Sequence, residues 1–127
     1  MVSKKVSVII PCCNSEKYAA HTLGLILNQL YKNIEVICVN DGSSDGTLAI
    51  LQQFSENNEN VKVVNLEENR GLFAARRAGA SAAEGDYILF LDSDDEVTPG
   101  WVGALVPKAE KANADLVLGD VQKKGDR

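Results

Sequence analysis

Four acidic residues stand within five positions, directly after a short apolar segment. The apolar segment covers residues 87–91, and the cluster after it is Asp92-Ser93-Asp94-Asp95-Glu96. Five consecutive apolar residues predict a strand buried on both faces, which would hold these carboxylates at one edge of a sheet. Carboxylates this close repel one another unless a cation lies between them. The Asp-x-Asp pair suits Mg²⁺ or Mn²⁺, although a lone pair of this kind is more often a solvated acidic turn.

The composition limits the class of protein. With 127 residues, the chain is long enough for one domain with a sizeable core. Its net charge of −5 argues against nucleic acid as a partner, since a phosphate backbone requires a basic surface. The chain has three cysteines and one histidine, namely Cys12, Cys13, Cys38 and His21. This set does not suit a zinc site. So few cysteines, in an odd number, favour a reducing, cytoplasmic location. No apolar run reaches the roughly 20 residues of a membrane helix.

Predicted strands alternate with predicted helices along the chain. The strands are expected at residues 5–10, 34–39, 61–66, 87–91 and 115–118, and the helices at 16–30, 47–54, 72–83 and from 99 onward. This alternation is typical of βαβ units, and it predicts a three-layer α/β/α protein with a mostly parallel sheet. Ligands of such sheets bind beyond the carboxyl ends of the strands. The polar loops 11–15, 40–46 and 92–96 should therefore open on one edge.

The ends of these helices carry familiar signals. Asn14 and Ser15 are candidate N-caps of the first helix, and Gly85 stands at a C-cap position of the third. Tyr18 and Leu30 extend the apolar stripe of the first helix at helical spacing.

The glycine-rich phosphate motifs are missing from the loops. The segment after the first strand, Pro11 to Asn14, does not contain the Gly-x-Gly-x-x-Gly of a dinucleotide site. Gly42 and Gly46 have the wrong spacing for a P-loop, and no lysine follows Gly46. A metal at Asp92 and Asp94 could hold phosphate instead.

Four segments, in this order, resemble the inverting glycosyltransferases of family 2, which have the GT-A (nucleotide-diphospho-sugar transferase) fold. They are Ser7-Val-Ile-Ile-Pro-Cys-Cys-Asn14, Val39-Asn-Asp-Gly-Ser-Ser-Asp-Gly-Thr47, Gly71-Leu-Phe-Ala-Ala-Arg76 and Gly85-Asp-Tyr-Ile-Leu-Phe-Leu-Asp-Ser-Asp-Asp95. The resemblance extends from about residue 5 to about residue 120. Any one of these segments alone would be weak evidence for the family, but four of them in the right order and spacing make the resemblance specific.

The resemblance implies roles for particular residues. Asp41 would accept a hydrogen bond from the nucleobase, and a carboxylate can accept from the imide N–H of uracil. Asp94 would bind Mn²⁺ or Mg²⁺ together with Asp92, which would also lie near the ribose. The residues implied to bind the nucleotide are Pro11, Cys13, Asn14, Asp41, Gly42, Arg76, Asp92 and Ser93. Asp41 could instead stabilise a turn, Arg76 could be a surface residue, and Asp95 and Glu96 could be either supporting or solvated groups.

The implied activity moves a sugar from a nucleoside diphosphate sugar, with UDP-sugars favoured, to a hydroxyl of a saccharide or lipid-linked acceptor, with inversion. In the family, the catalytic base belongs to an acceptor half, and nothing between Glu96 and Arg127 matches it. We therefore expect residues 1–127 to be a donor-binding domain whose base lies beyond Arg127. The parent would act at the inner face of the membrane, and the uncovered sheet could pair two copies. Cys13 replaces a common tyrosine of the family, and Arg77 replaces a common asparagine.

Two other functions are compatible with parts of this pattern. A non-catalytic nucleotide-binding module would need only the donor residues. A phosphatase of the haloacid dehalogenase type also has Asp-x-Asp after an apolar strand, but it continues to Thr or Val where this chain has Glu96. That motif also follows the first strand of those enzymes, whereas here it follows the fourth.

Overall fold

The computed structural model describes residues 4–112 and 116–117. The strands are β1 (Val6–Cys12), β2 (Ile34–Asp41), β3 (Val61–Leu66), β4 (Tyr87–Phe90) and β5 (Leu116–Val117). The helices are α1 (Ala19–Leu27), α2 (Thr47–Asn57), α3 (Leu72–Ala82) and α4 (Trp101–Ala112). Strands and helices alternate as the sequence predicted, and no helix within the described residues is long and apolar enough to cross a membrane.

The strands form a single sheet in the order β3-β2-β1-β4-β5, and every pair in it is parallel. All residues of β1 and β2 are buried, without the alternation of a half-exposed strand. This is the pattern of central parallel strands that are covered on both faces. The predicted three-layer α/β/α architecture is therefore confirmed.

Helices cover the two faces of the sheet unequally. Helices α1, α2 and α4 pack on one face through residues such as Leu23, Leu51 and Leu105, whereas α3 packs on the other face through Ala75. Helix α3 lies very close to β1, because a Cβ added at Gly79 would be 2.4 Å from Cγ2 of Ile9. Any larger residue at position 79 would push the helix away from the sheet.

The order of the strands determines where a ligand can bind. The chain runs outward from β1 to β2 and β3, then returns through α3 to place β4 on the other side of β1. At such a switch point the loops after neighbouring strands separate and leave a crevice beyond their carboxyl ends. We call this edge, where β1, β2, β3 and β4 end, the carboxyl rim. The loops 11–15, 40–46 and 92–96 all open there, as predicted.

The first helix is shorter than predicted, and its predicted caps are wrong. It begins at Ala19 after a turn, in which the carbonyl of Ser15 accepts the N–H groups of Tyr18 and Ala19. Tyr18 is the N-cap residue and makes no capping bond with its side chain. The expected apolar stripe is also wrong at its ends, because Tyr18 is 53% exposed and Leu30 is 73% exposed. These residues lie outside the helical turns that face the sheet.

Gly85 is not the C-cap of α3, which is Ala83. Its role is a close approach between the segment before β4 and the start of β1. The N–H of Gly85 donates to Oγ of Ser7 at 2.8 Å, and an added Cβ would be 2.9 Å from the carbonyl oxygen of Lys5. The glycine is required by this tertiary contact and not by the end of the helix.

Candidate functional site

A cavity of about 280 Å³ opens at the carboxyl rim. The residues that line it are Pro11, Cys12, Cys13, Asp41, Asn69, Gly71 and Leu72. Of the residues predicted to bind a nucleotide, it brings together Pro11, Cys13 and Asp41. The loop after β3, which contributes Asn69 and Gly71, was not predicted to take part. Its place after a parallel strand was the available signal, since that loop must open on the same edge as the others.

Asp41 holds the loop after β3 against the end of β2. Its side chain is buried, and its Oδ1 accepts the N–H of Arg70 at 2.7 Å while its Oδ2 accepts the N–H of Gly71 at 3.1 Å. These partners are 29 and 30 residues further along the chain, so the contact is not a local turn. Each carboxylate oxygen can still accept a second hydrogen bond. The role of Asp41 in reading a base stays a prediction.

Gly42 lets the loops after β2 and β3 meet. Its φ angle is +63°, and its N–H donates to the carbonyl of Leu66 at 3.0 Å. A Cβ at this position would be 2.3 Å from the backbone nitrogen of Asn69. The cavity wall therefore requires glycine at position 42, because a side chain there would keep the two loops apart, although Gly42 does not itself line the cavity.

The loops after β1 and β2 are tied together by hydrogen bonds. Asn14 has a φ angle of +49°, and its Oδ1 accepts the N–H of Ser44 at 2.8 Å. The N–H of Asn14 in turn donates to Oγ of Ser43 at 3.0 Å. The N–H of Ser15 donates to Oγ1 of Thr47 at 2.8 Å. Asn14 thus shapes the rim beside the cavity without lining it.

Asp45 lies two residues before the start of helix α2 and accepts hydrogen bonds from the first residue of that helix, Thr47. Its Oδ1 accepts both the N–H of Thr47 at 3.0 Å and the hydroxyl of Thr47 at 2.5 Å. The Thr47 hydroxyl and the backbone N–H groups hold the pKa of Asp45 below its ordinary value. The loop after β2 therefore keeps an ionised carboxylate at the start of a helix, where the helix dipole also favours negative charge.

Arg76 and the acidic loop after β4 form the second part of the site. Nη2 of Arg76 lies 3.6 Å from Oδ1 of Asp92, and the guanidinium stands over the ring of Phe90 at 5.4 Å from its centroid. A planar guanidinium on an aromatic face is a favourable cation–π contact. Arg76 is therefore not a plain surface arginine, because the end of β4 and the first residue of the loop both contact it.

The acidic loop turns back on itself through Asp95. Oδ2 of Asp95 accepts the N–H of Asp92 at 3.3 Å, and the N–H of Asp95 donates to the carbonyl of Asp92 at 3.1 Å. Asp95 is buried, whereas Asp94 and Glu96 are exposed. Oγ of Ser93 lies 2.7 Å from Oγ of Ser15. Asp95 therefore shapes the loop, and Asp94 presents its carboxylate to solvent.

The carboxylates of the acidic loop suit a hard divalent metal ion that takes its remaining ligands from a substrate. Within residues 4–112 and 116–117, no three His, Cys, Asp or Glu side chains converge on a point where a metal could bind. Asp92 and Asp94 could supply two carboxylates, and Mg²⁺ or Mn²⁺ is often held by so few when substrate phosphates complete its coordination. Burial, with a smaller contribution from Cys13, raises the pKa of Cys12 to about 12, so Cys12 is a neutral thiol and a poor metal ligand.

The model of the family described as Glycosyl transferase family 2 matches residues 7–127. The chain belongs to glycosyl transferase family 2. Glycosyltransferase GlyA of Streptococcus pneumoniae serotype 4 is 39% identical to it over 120 residues, which cover 94% of this chain and 17% of GlyA. The chain thus spans less than a fifth of the length of that family 2 relative.

Two solved structures have the same fold. The crystal structure of Staphylococcus aureus TarS 1-349 in complex with UDP-GlcNAc matches with a TM-score of 0.77 and 34% identity, over 86% of this chain and 32% of the TarS 1-349 chain. The mannosyltransferase PcManGT of Pyrobaculum calidifontis, in complex with GDP-Man and Mn²⁺, matches with a TM-score of 0.79 and 24% identity, over 85% of this chain and 33% of PcManGT. The expected GT-A fold is confirmed for this family 2 chain.

Proposed function

We propose that this chain is the donor-binding part of a glycosyltransferase that uses a nucleoside diphosphate sugar and a divalent metal ion. One observation carries the proposal: the cavity that contains Asp41 and the acidic loop that contains Asp94 open on the same rim. A cavity for the nucleoside next to carboxylates for a metal-bound diphosphate is the arrangement that such a donor requires.

The cavity suits the nucleoside end of the donor. Its volume of about 280 Å³ is near the lower limit for small-molecule sites, which suits part of a ligand better than a whole nucleotide sugar. Asp41 can accept one more hydrogen bond on each oxygen, and the imide N–H of uracil is a suitable donor. TarS was crystallised with UDP-GlcNAc, which supports UDP, whereas PcManGT was crystallised with GDP-Man. We favour UDP on the chemistry of Asp41.

The diphosphate would lie between Asp94 and Arg76. The Arg76 guanidinium orients Asp92 through their ion pair and adds positive charge beside the acidic loop. Asp94 is exposed and can turn its carboxylate toward a cation at the mouth of the cavity. When bound, Mn²⁺ or Mg²⁺ would neutralise the charge that develops on the leaving diphosphate.

The residues that we propose to bind the nucleotide sugar and the metal all lie between residues 11 and 94. We propose that the acceptor hydroxyl is deprotonated by a carboxylate outside this set and attacks the face of the sugar opposite the diphosphate, which inverts the anomeric carbon. On this proposal the chain alone binds the donor, and efficient transfer of the sugar also requires groups outside this set that position the acceptor.

The first experiment measures nucleotide binding by calorimetry. UDP with Mn²⁺ should bind to the chain, and EDTA or replacement of UDP by GDP should weaken the binding. D94N should remove the Mn²⁺-dependent part of the affinity, because an amide is a weaker ligand for a hard cation. E96Q is the matched control, since it removes one exposed carboxylate from the same loop. Equal affinities of D94N and the wild type would overturn the metal site.

The second experiment tests for sugar transfer. The chain is incubated with a panel of nucleotide sugars, Mn²⁺ and simple sugar acceptors, and the products are separated by mass. We expect at most slow hydrolysis of the donor, with water as the acceptor. Robust product that depends on the acceptor would show that a catalytic base lies within these residues, and it would contradict the donor-only role.

A further inference from the structure

Three polar side chains are buried next to the acidic loop and outside the cavity. Ser15, Thr22 and Gln29 are 4%, 1% and 1% exposed, and they stand seven residues apart. Seven residues correspond to about two helical turns, so the three lie along one side of α1 and its flanking turns. Buried polar groups destabilise a protein unless they are hydrogen-bonded, so their partners indicate what they do.

All three bind the segment that follows β4. Oγ of Ser15 lies 2.7 Å from Oγ of Ser93, and Oγ1 of Thr22 donates to the carbonyl of Ser93 at 2.6 Å. Nε2 of Gln29 donates to the carbonyl of Thr98 at 2.6 Å, and its Oε1 accepts the N–H of Val102 at 2.9 Å. One side of α1 and its flanking turns therefore contacts the segment that runs from Ser93 in the acidic loop to Val102 in the first turn of α4.

Thr22 has a special place in this set. Its hydroxyl contacts the carbonyl oxygens on both sides of Asp94: that of Ser93 at 2.6 Å and that of Asp95 at 3.4 Å. The backbone of Asp94 is thus held on the inner side by α1, while its carboxylate points out to solvent. Fixing the backbone on both sides of a ligand reduces the freedom that the ligand loses when it binds a metal.

We propose that Thr22 is a positioning residue for Asp94, with Ser15 supporting the same loop at Ser93 and Gln29 holding the segment between that loop and α4. Thr22 touches neither metal nor donor; it acts through the backbone of residues 93–95. As far as donor binding is concerned, this inference rests on the proposed function, but the rigidity of the loop can be measured without any ligand.

The test compares T22V, which keeps the shape and removes the hydroxyl, with T22S, which keeps the hydroxyl. Hydrogen exchange of the amides in residues 92–97 should become about tenfold faster in T22V and return toward the wild-type rate in T22S, with β1 and β2 unchanged. The affinity for UDP with Mn²⁺ should fall by about tenfold in T22V and recover in T22S. S55A is the matched control, because Oγ of Ser55 donates to the carbonyl of Val61 far from the rim.

The two readouts separate this inference from the proposed function. If the wild-type chain does not bind UDP with Mn²⁺, the proposed function fails, and the exchange rates alone decide whether Thr22 holds the loop. Wild-type exchange and affinity in T22V would overturn the inference. If T22V does not fold by circular dichroism, S15A takes its place, since it removes the contact with Ser93 and should loosen the same amides.

Discussion

Arg76 and Asp92 form an ion pair across the carboxyl rim, with 3.6 Å between Nη2 of Arg76 and Oδ1 of Asp92. The two side chains are 19% and 32% exposed, so the pair is only partly screened by solvent. It joins helix α3, which covers one face of the sheet, to the loop after β4. The second part of the proposed donor site, Arg76 and the acidic loop, is therefore held together by a charged contact.

Replacing Arg76 should weaken donor binding more than it changes the fold. In R76Q, Asp92 loses its cationic partner and the ring of Phe90 loses the guanidinium above it, so we expect UDP with Mn²⁺ to bind about tenfold more weakly. Calorimetry measures this change. R77Q is the control, because Arg77 is exposed on the same helix. If the two variants bind equally, Arg76 takes no part in the donor site.

Removing the Asp41 carboxylate should both destabilise the protein and lower its affinity for UDP. In D41A the partly buried N–H groups of Arg70 and Gly71 lose their charged acceptor, which costs about 1–3 kcal/mol of unfolding free energy. Urea denaturation measures this cost. D86A is the matched control, because the exposed Asp86 accepts one backbone N–H, that of Lys5, at 2.9 Å. An equal loss in both variants would contradict the role of Asp41 at the cavity wall.

Two glycines should respond to alanine in opposite directions. G42A places a Cβ 2.3 Å from the nitrogen of Asn69 at a φ angle of +63°, so it should destabilise the fold by about 1–3 kcal/mol. Gly24 lies inside α1 with nothing within 4 Å of an added Cβ, so G24A should stabilise by about 0.5–1 kcal/mol. Thermal unfolding measures both changes. A neutral G42A would show that the loops after β2 and β3 can separate at no cost.

Glu35 is a buried carboxylate at the opposite edge of the sheet from the site. Its Oε2 accepts the hydroxyl of Ser7 and the N–H of Glu84, both at 2.5 Å, and its Oε1 lies 3.0 Å from Nζ of Lys62. Burial by itself would raise the pKa of Glu35. The hydrogen bonds from Ser7, Glu84 and Lys62, together with the charge of Lys62, outweigh burial and lower this pKa below its ordinary value of 4.5.

The lowered pKa predicts how the stability depends on pH. As pH falls, the Glu35 carboxylate is protonated first in the unfolded chain, because its pKa is higher there. The contribution of Glu35 to the stability of the fold is therefore complete above about pH 4.5, and it is lost as pH falls through the lower pKa of the folded state. Urea denaturation should show E35Q less stable than the wild type by about 1–3 kcal/mol at pH 7, with the difference shrinking below pH 4.5. E59Q, at an exposed glutamate, is the control. If the stability difference between E35Q and the wild type grows below pH 4.5, the pKa of Glu35 is raised and not lowered in the folded protein.

The order of the elements was predictable because each strand is an uninterrupted apolar run bounded by polar loops. The bounds of β3 were predicted to the residue, and the carboxylates after β4 were predicted to lie on the same edge as Asp41. Both follow from local pattern and from the parallel arrangement of βαβ units. Asn69 and Gly71 were not predicted to line the cavity, although their place after the parallel strand β3 indicated that their loop opens on the same edge.

By itself, the sequence determined the fold class, the family and the edge of the sheet where the acidic residues gather. These depend on hydrophobic periodicity and on motifs of adjacent residues, which are local properties of the chain. Only the tertiary structure decided three contacts: Thr22 binds the backbone beside Asp94, Asp41 binds the loop that contains Gly71, and Gly85 approaches Ser7 closely. Those contacts join residues from 30 to 78 positions apart, and hydrogen bonds at such separations depend on the packing of layers and not on neighbouring residues.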